Sequence, residues 1–356
     1  MADSPPPQLL ALPDLPLQKI AEHAGLRGVV SMQKTCSRFR NLFEAHPPSV
    51  NYYSITIRGS ADSIGVHYGS ERYNPIRVHY KKVGNVCAVF SESREKNRKE
   101  FPDEDCKEMF LADLEKNLGL QAREQLETPG TKKMCLSIEA DRSTLEGISS
   151  ILAARSHPLR VHSMQTGNID DFELILPHLC LESLKAIQIG SVTLRTISVA
   201  QIEKLASFDH WKRLTRIEMF TLFNFPVEAM HHFSHLSELD LTMGERTFSH
   251  LLKLKEMILG PAFKSLKIAC TVPRDQEQII ALMGPRYCER LEKTVLLAFE
   301  SRTKYWFFEA PHGRGVLRVA LQSIPIGTKS IILEIIKRGN VIEGAVVLPM
   351  FQFPDN

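Results

Sequence analysis

The sequence predicts a mixed α/β protein in which a short helical block precedes a repeating strand-and-helix region and a β-rich end. Two observations carry this prediction. Apolar residues recur with helical spacing between residues 9 and 48, and short apolar strands recur roughly every 23 to 30 residues beyond residue 130. Of the 356 residues, 43% are hydrophobic and 24% are charged, as in ordinary globular proteins. We therefore expect about two domains with a substantial core.

Charge and composition narrow the classes of partner and compartment. Lys and Arg number 44 and Asp and Glu number 41, so the net charge of +3 is too small to indicate nucleic-acid binding. No apolar run reaches the roughly 18 residues of a membrane helix, so no membrane partner is expected. The start of the chain is acidic and proline-rich, unlike a signal peptide, and the seven cysteines form no CxxC pair. We therefore expect a cytoplasmic or nuclear protein.

Residues 1–8 are predicted to be a flexible tail, and residues 9–48 to form two or three short helices. Three consecutive prolines disfavour helix and strand in the tail. The apolar residues of the first helix recur at i, i+3, i+4 and i+7: Leu17, Ile20, Ala21 and Ala24. Asp14 is its predicted N-cap, Gly25 its predicted end, and a turn near Cys36 divides the apolar series that follows. So small a block buries its apolar side chains poorly, so it packs on the rest of the chain or on a partner.

Residues 49–129 are predicted to be a connecting α/β segment. Alternating apolar residues predict strands at 53–58 and 76–81. A helix is predicted at 101–121, because apolar residues recur on one face and acidic residues 103–105 favour its N-terminus.

Residues 130–270 are predicted to be an imperfect repeat with one strand and one helix in each unit. The predicted strands lie at 134–138, 159–162, 184–189, 214–217, 236–241 and 263–268, and the predicted helices at 144–154, 170–178, 199–208 and 226–232. A strand and a helix at this period are typical of leucine-rich repeats, and residues 181–189 fit that pattern best. We therefore expect an irregular leucine-rich-repeat-like α/β solenoid.

Residues 271–356 are predicted to be a β-rich C-terminal cap of this solenoid. Apolar and alternating runs predict strands at 304–308, 316–321 and 330–336.

No motif for catalysis or cofactor binding is present in the sequence. The phosphate-binding loop, the GxSxG turn and the HExxH helix are all missing, so neither an enzyme activity nor a cofactor is expected. His231 and His235 are four residues apart, so an α-helix would place them on one face. Two imidazoles on one face could bind zinc. A structural role for both, and for the adjacent His232, is the preferred interpretation. Trp211 is interpreted as a core or groove aromatic.

The helical block and the repeat region together resemble a known family. The block resembles an F-box in a series of positions: Leu12, Pro13, Ile20, Leu26, Arg27, Val29, Val30, Met32, Lys34, Thr35, Cys36, Phe39, Arg40, Asn41 and Leu42. Residues 209–214 (Asp-His-Trp-Lys-Arg-Leu), 231–236 (His-His-Phe-Ser-His-Leu) and the strand at 263–268 resemble the FTH domain, with His210 where that family usually has Gln. In this order, the motifs resemble those of nematode F-box proteins with a C-terminal FTH domain. The FTH resemblance runs from residue 130 to about residue 270.

This resemblance implies a substrate receptor of an SCF-type (Skp-cullin-F-box) ubiquitin ligase. A three-helix F-box at 9–48 would bind a Skp-type adaptor, and through it the cullin-RING ligase, while the FTH region would bind an unknown target protein. The resemblance implies adaptor contacts for ten residues, some of which must instead hold the helices together: Leu12, Pro13, Leu15, Pro16, Ile20, Val29, Val30, Met32, Phe39 and Leu42. Such a receptor positions its target and needs no catalytic residue or metal of its own.

Two alternatives stay open at this point. The chain could be a repeat-type binding protein without a role in ubiquitin transfer, in which the first 48 residues only cap the solenoid and Leu12 or Val30 is buried within the chain. It could also be an enzyme that uses a metal near His231 and His235.

Overall fold

A computed structural model describes residues 9, 12–46, 48, 53–69, 75–92, 98–120, 133–190, 197–220, 226–245, 255–272, 276–293, 300–323 and 329–349. The predicted tail at 1–8 lies outside these residues. The chain divides into two compact units. The first comprises Met1–His162 and Pro177–Cys180, and the second comprises Ser163–Leu176 and Leu181–Asn356.

The first unit consists of two helices, an antiparallel sheet, a third helix and a final strand-and-helix pair. Its elements are α1 (Asp14–Thr35), α2 (Ser37–Ala45), β1 (Ser54–Ser60), β2 (Ser63–Gly69), β3 (Ile76–Val83), β4 (Val86–Ser91), β5 (Lys99–Pro102), α3 (Cys106–Gly119), β6 (Cys135–Glu139) and α4 (Arg142–Ala153). Strands β1 to β5 pair antiparallel in chain order. Strand β6 joins this sheet parallel to β1, with Ile138 opposite Ile57.

Helix α3 packs on this sheet through aromatic and polar contacts. The ring of Phe110 meets that of Tyr80 edge to face, with centroids 5.8 Å apart. The Tyr80 hydroxyl donates to Asp113 Oδ2 at 2.6 Å, and burial together with this bond raises the pKa of Tyr80 above its ordinary value. The predicted helix start at Phe101 is wrong, because Phe101 belongs to β5 and the Asp105 carboxylate caps the helix by accepting from two backbone amides.

The second unit begins with parallel strands and helices in alternation and ends in antiparallel strands. Its elements are β7 (Ser163–Thr166), α5 (Asp171–Ile175), β8 (Ala186–Ile189), α6 (Val199–Ala206), α7 (Asp209–Arg213), β9 (Arg216–Phe220), a 3₁₀ helix (Val227–Phe233), β10 (Glu238–Glu245), α8 (Lys255–Leu259), β11 (Ser265–Val272), α9 (Gln276–Met283), β12 (Cys288–Lys293), β13 (Glu300–Glu309), β14 (Val316–Ser323), β15 (Lys329–Ile336) and β16 (Val347–Leu348). Strands β7 to β11 lie side by side in chain order and all run parallel. Strand β15 pairs antiparallel with β11, and β14, β13 and β12 continue the sheet.

The mixed α/β prediction is confirmed, and most predicted strands overlap observed ones. The strands predicted at 184–189, 214–217, 236–241 and 263–268 coincide in part with β8 to β11. The strand predicted at 159–162 is wrong. Strand β7 begins only at Ser163, because Leu159 forms a single bridge with Leu179 instead of entering a ladder. The strands predicted at 304–308, 316–321 and 330–336 lie within β13, β14 and β15.

The junction before each of the strands β9, β10 and β11 has the same hydrogen-bond pattern. The carbonyl oxygen of the residue directly before one strand accepts from two consecutive amides at the start of the next strand. The amide pairs are Thr215 and Arg216 on the Lys185 carbonyl, Ser237 and Glu238 on the Thr215 carbonyl, and Lys264 and Ser265 on the Ser237 carbonyl, at 2.8–3.1 Å. The Thr215 and Ser237 hydroxyls donate to the same carbonyls as their own amides. This shared pattern fixes the register from one repeat to the next.

The two faces of the parallel sheet differ in character. One face presents a continuous row of buried apolar residues: Ile187, Ile217, Leu239, Leu266 and Leu333. The opposite face presents polar residues in the adjacent rows, which include Arg216, Glu218, Glu238, Asp240 and Lys267. Parallel sheets are usually buried on both faces. Here the alternation of apolar and polar residues instead leaves one face of β8 to β11 in contact with water.

On β13 to β15 the same polar face becomes apolar and is covered. Tyr305, Phe307, Val316 and Ala320 form a buried cluster. The C-terminal segment packs on this cluster through Val341, Ile342, Ala345 and Val347. Strand β16 adds backbone bonds by pairing with β13 at Phe307 and Phe308. The exposed polar surface therefore ends where the C-terminal segment begins.

Gly190, directly after β8, provides a test of the close approach between the ends of β8 and β9. Its φ is +118°, and a Cβ there would lie 2.3 Å from the Phe220 carbonyl oxygen. We expect Gly190→Ala to lower the free energy of unfolding by about 1–3 kcal/mol, because alanine tolerates neither the backbone conformation nor the contact. Thermal unfolding measures the effect. Gly339→Ala is the control, since nothing lies within 4 Å of that Cβ position. An unchanged melting temperature in Gly190→Ala would contradict the described strand spacing.

Candidate protein-interaction site

The N-terminal helices are shaped by two breaks in the backbone. Helix α1 is interrupted at Gly25, whose φ of 64° and ψ of −176° are not helical. Cys36 is fully extended between α1 and α2. The predicted breaks at Gly25 and Cys36 are thereby confirmed, and the segment consists of three helical stretches. The predicted N-cap is wrong, because Pro13 occupies that position and Asp14 is the first helical residue.

Apolar side chains at helical spacing form the inner side of this segment. In α1 the fully buried residues include Leu17, Ala21 and Val29, and in α2 they are Phe39, Leu42 and Phe43. The rings of Phe39 and Phe43 contact each other, with centroids 5.7 Å apart. The spacings i, i+3 and i+4 in α2 place all three residues on one helix face. This face holds the short helices in position.

Arg38 joins the start of α1 to α2. Its Nη2 donates to the Leu12 carbonyl oxygen at 2.9 Å and to Asp14 Oδ1 at 3.1 Å. An exposed pair of this kind contributes little to stability by itself, about 0–1 kcal/mol. Its consequence is geometric, since it fixes the Leu12–Asp14 turn beside α2. The sequence gives no local signal for this contact, because 24 residues separate Arg38 from Asp14.

The structure sorts the ten predicted adaptor contacts by exposure. The exposed ones are Pro13, Leu15, Pro16 and Ile20; the half-buried ones are Leu12, Val30 and Met32; the buried ones are Val29, Phe39 and Leu42. The buried group belongs to the inner side of the helices. The exposed group lies entirely at the start of α1, where Pro16 and Ile20 are four residues apart on one stripe.

Exposed apolar side chains are concentrated at this end of the chain. Seven large apolar residues of the described ranges are strongly exposed, and Leu9, Leu15 and Ile20 are three of them. Leu15 is 66% exposed although it lies in a helix, where a core-facing position would bury it. Exposed apolar side chains at the start of a helix favour a protein-binding surface there. We name this set of exposed residues, Leu9, Pro13, Leu15, Pro16 and Ile20, the α1 apolar patch.

Gly25 is the residue on which the shape of this segment depends most. Its φ and ψ lie in a region that only glycine adopts without strain of about 1–3 kcal/mol. We expect Gly25→Ala to lower hydrogen-exchange protection of the α1 and α2 amides by about 10- to 100-fold. Hydrogen exchange read by mass spectrometry measures this loss. Gly119→Ala at the end of α3 is the control, because a Cβ there meets nothing within 4 Å. Equal protection in Gly25→Ala and the wild type would contradict the described bend.

A second cluster of predicted residues surrounds Trp211. Trp211 is buried, and its indole Nε1 donates to the His232 carbonyl oxygen at 3.0 Å. Its ring meets Phe233 edge to face, with centroids 5.3 Å apart. His235 Nε2 donates to the Trp211 carbonyl oxygen at 2.9 Å. These two bonds join α7 to the 3₁₀ helix and to the residues directly after it, which confirms the core interpretation of Trp211 and gives His235 a structural contact.

The predicted pairing of His231 and His235 on one helix face is wrong. Residues 227–233 form a 3₁₀ helix that ends before His235, so the four-residue spacing of an α-helix does not apply. His231 instead donates through Nδ1 to the Glu228 carbonyl oxygen at 2.8 Å and contacts the tilted ring of His232, with ring centroids 3.9 Å apart. In the described part of the chain, no three His, Cys, Asp or Glu side chains form a set that could hold a metal ion.

His232 is expected to make the stability of the second unit depend on pH. Its Nε2 is buried and finds no hydrogen-bond partner among the described residues, and burial and the neighbouring His231 lower the pKa of His232 below 6.5. The unfolded chain therefore binds more protons as the pH falls below about 6.5, which favours unfolding. We expect the melting temperature to fall less between about pH 7.5 and pH 5.5 in His232→Gln than in the wild type. His157→Gln, which changes an exposed histidine, is expected to follow the wild type. Parallel curves for all three proteins would contradict this role of His232.

Each helix of the described ranges is too short or too polar to cross a membrane.

Comparison with known proteins gives one positive result. Residues 142–285 match the sequence model of the FTH domain family. No curated protein and no solved structure matches the chain. The match begins at the first residue of α4 and ends just beyond α9, so it includes the parallel strands β7 to β11. An FTH domain is therefore found at residues 142–285.

Proposed function

We propose that the protein is the F-box substrate receptor of an SCF-type ubiquitin ligase, of the kind found in nematodes. The single observation that carries this proposal is the α1 apolar patch, which is solvent-exposed within the segment that resembles an F-box. The FTH domain supports it, because FTH domains are associated with F-box proteins. The patch would bind a Skp-type adaptor, and the adaptor would join the receptor to the cullin-RING ligase.

The burial of the helices separates two roles that the sequence leaves mixed. Val29, Phe39 and Leu42 would hold the helices together, while the α1 apolar patch would contact the adaptor. The half-buried Leu12, Val30 and Met32 would lie at the margin between the two groups. Placing the exposed apolar side chains against helices of a partner removes them from water, which is the driving force of such interfaces.

The receptor would act by positioning and not by chemistry of its own. The FTH domain would bind the target protein. We interpret its alternating strands and helices as an irregular leucine-rich-repeat-like solenoid. The ligase would supply a ubiquitin-loaded enzyme close to a lysine of that target. Holding the two together raises their effective concentration, so the chain needs no catalytic residue, cofactor or metal. Such a receptor would act in the cytoplasm or the nucleus.

Disruption of the α1 apolar patch tests adaptor binding. We expect the double variant Leu15→Glu/Ile20→Glu to bind a Skp-type adaptor at least 100-fold more weakly, because two charges would enter an apolar interface. Its melting temperature is expected to stay unchanged, since both side chains are exposed. Titration of the purified chain with the adaptor measures the affinity. The matched control is Leu291→Glu/Val346→Glu, which alters two exposed apolar residues elsewhere and is expected to bind normally.

Two outcomes would contradict the receptor proposal. One is a folded wild-type chain that does not bind the adaptor, in which case the chain would be a repeat-type binding module without a ubiquitin role. The other is normal adaptor binding by Leu15→Glu/Ile20→Glu and also by a chain lacking residues 1–48. That result would place the contact outside the helical segment.

A further inference from the structure

We propose that the exposed face of strands β9, β10 and β11 binds an acidic, extended segment of the target protein. This inference rests on the proposed function, because it assigns the target-binding surface within the FTH domain. It is drawn from the register, the exposure and the charge of the residues on that face.

The register places cations on two strands that flank an acidic strand. Arg216 lies on β9, Lys267 on β11, and Lys264 directly before β11. Between them β10 presents Glu238 and Asp240, with Glu238 opposite Arg216 and Asp240 opposite Lys267. Neighbouring strands are about 4.8 Å apart, so the two basic strands are separated by about 10 Å. An extended peptide fits between cations at that spacing.

Exposure distinguishes the cations from the carboxylates. The side chains of Arg216, Lys264 and Lys267 are 51%, 69% and 46% exposed. Their carboxylate partners Glu218, Glu238 and Asp240 are only 22%, 31% and 24% exposed. The six charges cancel in sum, but the cationic groups extend furthest into water. An approaching partner therefore meets positive charge first, and charge complementarity selects an acidic one.

The ion pairs on this face are weak enough to exchange. Arg216 is in close contact with Glu218 and also reaches Glu238 at 3.9 Å. Lys264 reaches Glu238 at 3.4 Å, and Lys267 reaches Asp240 at 3.1 Å. Half-exposed pairs of this geometry are stabilised only slightly, because water and salt compete for both partners. Carboxylates of a bound segment would share the exposed cations with their present partners, so Asp240 would keep its contact with Lys267.

The boundary of the face also favours an extended occupant. Toward β13 to β15 the face is closed by the C-terminal segment, which packs on Tyr305 and Phe307. The apolar part of this sheet face is thus already covered by the chain itself. The two rows that contain Arg216 and Glu218 are charged and polar on β9 to β11, which suits a hydrophilic peptide better than an apolar helix.

A labelled synthetic peptide of alternating Glu and Ser residues tests the proposal. Fluorescence anisotropy with the full chain bound to its adaptor measures the dissociation constant, beside a peptide in which Gln replaces Glu. We expect the acidic peptide to bind more tightly than the Gln peptide and to weaken as salt is raised. The triple variant Arg216→Gln/Lys264→Gln/Lys267→Gln is expected to bind the acidic peptide on the order of tenfold more weakly.

The control removes the same number of exposed, ion-paired cations from other elements. It is Lys204→Gln/Lys212→Gln/Arg338→Gln, whose side chains are paired with Glu173, Asp209 and Glu309. It is expected to bind the acidic peptide as the wild type does. Equal weakening by the two triple variants, or equal affinity of the acidic and Gln peptides, would overturn the proposal.

Adaptor binding measured on the same samples separates this proposal from the proposed function. The Arg216/Lys264/Lys267 variant is expected to bind the adaptor normally, because the altered face lies outside the helical segment. If the wild-type chain fails to bind the adaptor, the peptide titration is run on the chain alone. Acidic-peptide binding would then support the surface while the receptor proposal fails.

Discussion

The strand-to-strand junction in the second unit is the interaction on which the rest of that unit depends. At each junction one carbonyl oxygen, of Lys185, Thr215 or Ser237, accepts two consecutive backbone amides from the next repeat. Because two amides share one acceptor at each junction, the strands begin in a common register although the segments between them differ in length. The consequence is a common register in which side chains of equal parity fall on one face. The buried apolar row and the charged open face both follow from that register.

The N-terminal segment depends on a different constraint, namely that short helices cannot bury all their apolar residues. Phe39, Leu42 and Phe43 occupy the inner side together with residues of α1. In the first two turns of α1, Leu17 is buried while Leu15 and Ile20 remain exposed. An exposed leucine in water costs free energy on the order of 1.5–3 kcal/mol compared with burial. The segment therefore gains most from a partner at this end.

The sequence predicts features that depend on local backbone chemistry and misses those that depend on distant residues. Gly25 and Cys36 are identifiable as breaks because glycine conformations and turn signals act over a few residues. The sequence does not predict that Leu15 is exposed and Val29 is buried, since both are apolar residues of one helical series. Their burial is decided by how α1 meets α2, and the Arg38 contact that fixes this spans 24 residues. The error at His231 arises because periodicity does not distinguish a 3₁₀ turn from an α-helix.

The charged face illustrates how ion pairs of small energetic value would serve binding. Arg216 and Lys267 contribute little to folding because their pairs stay hydrated. For the same reason their exchange for the carboxylates of a partner costs little, and the gain on binding comes from joining several charges at once. A buried pair would be held too strongly to exchange, because removing one member leaves an unpaired charge in the interior. The partial exposure of these pairs is therefore the property that a reversible contact with an acidic target requires. The helical segment would meet the adaptor through apolar burial, so one chain would use two kinds of contact for two partners.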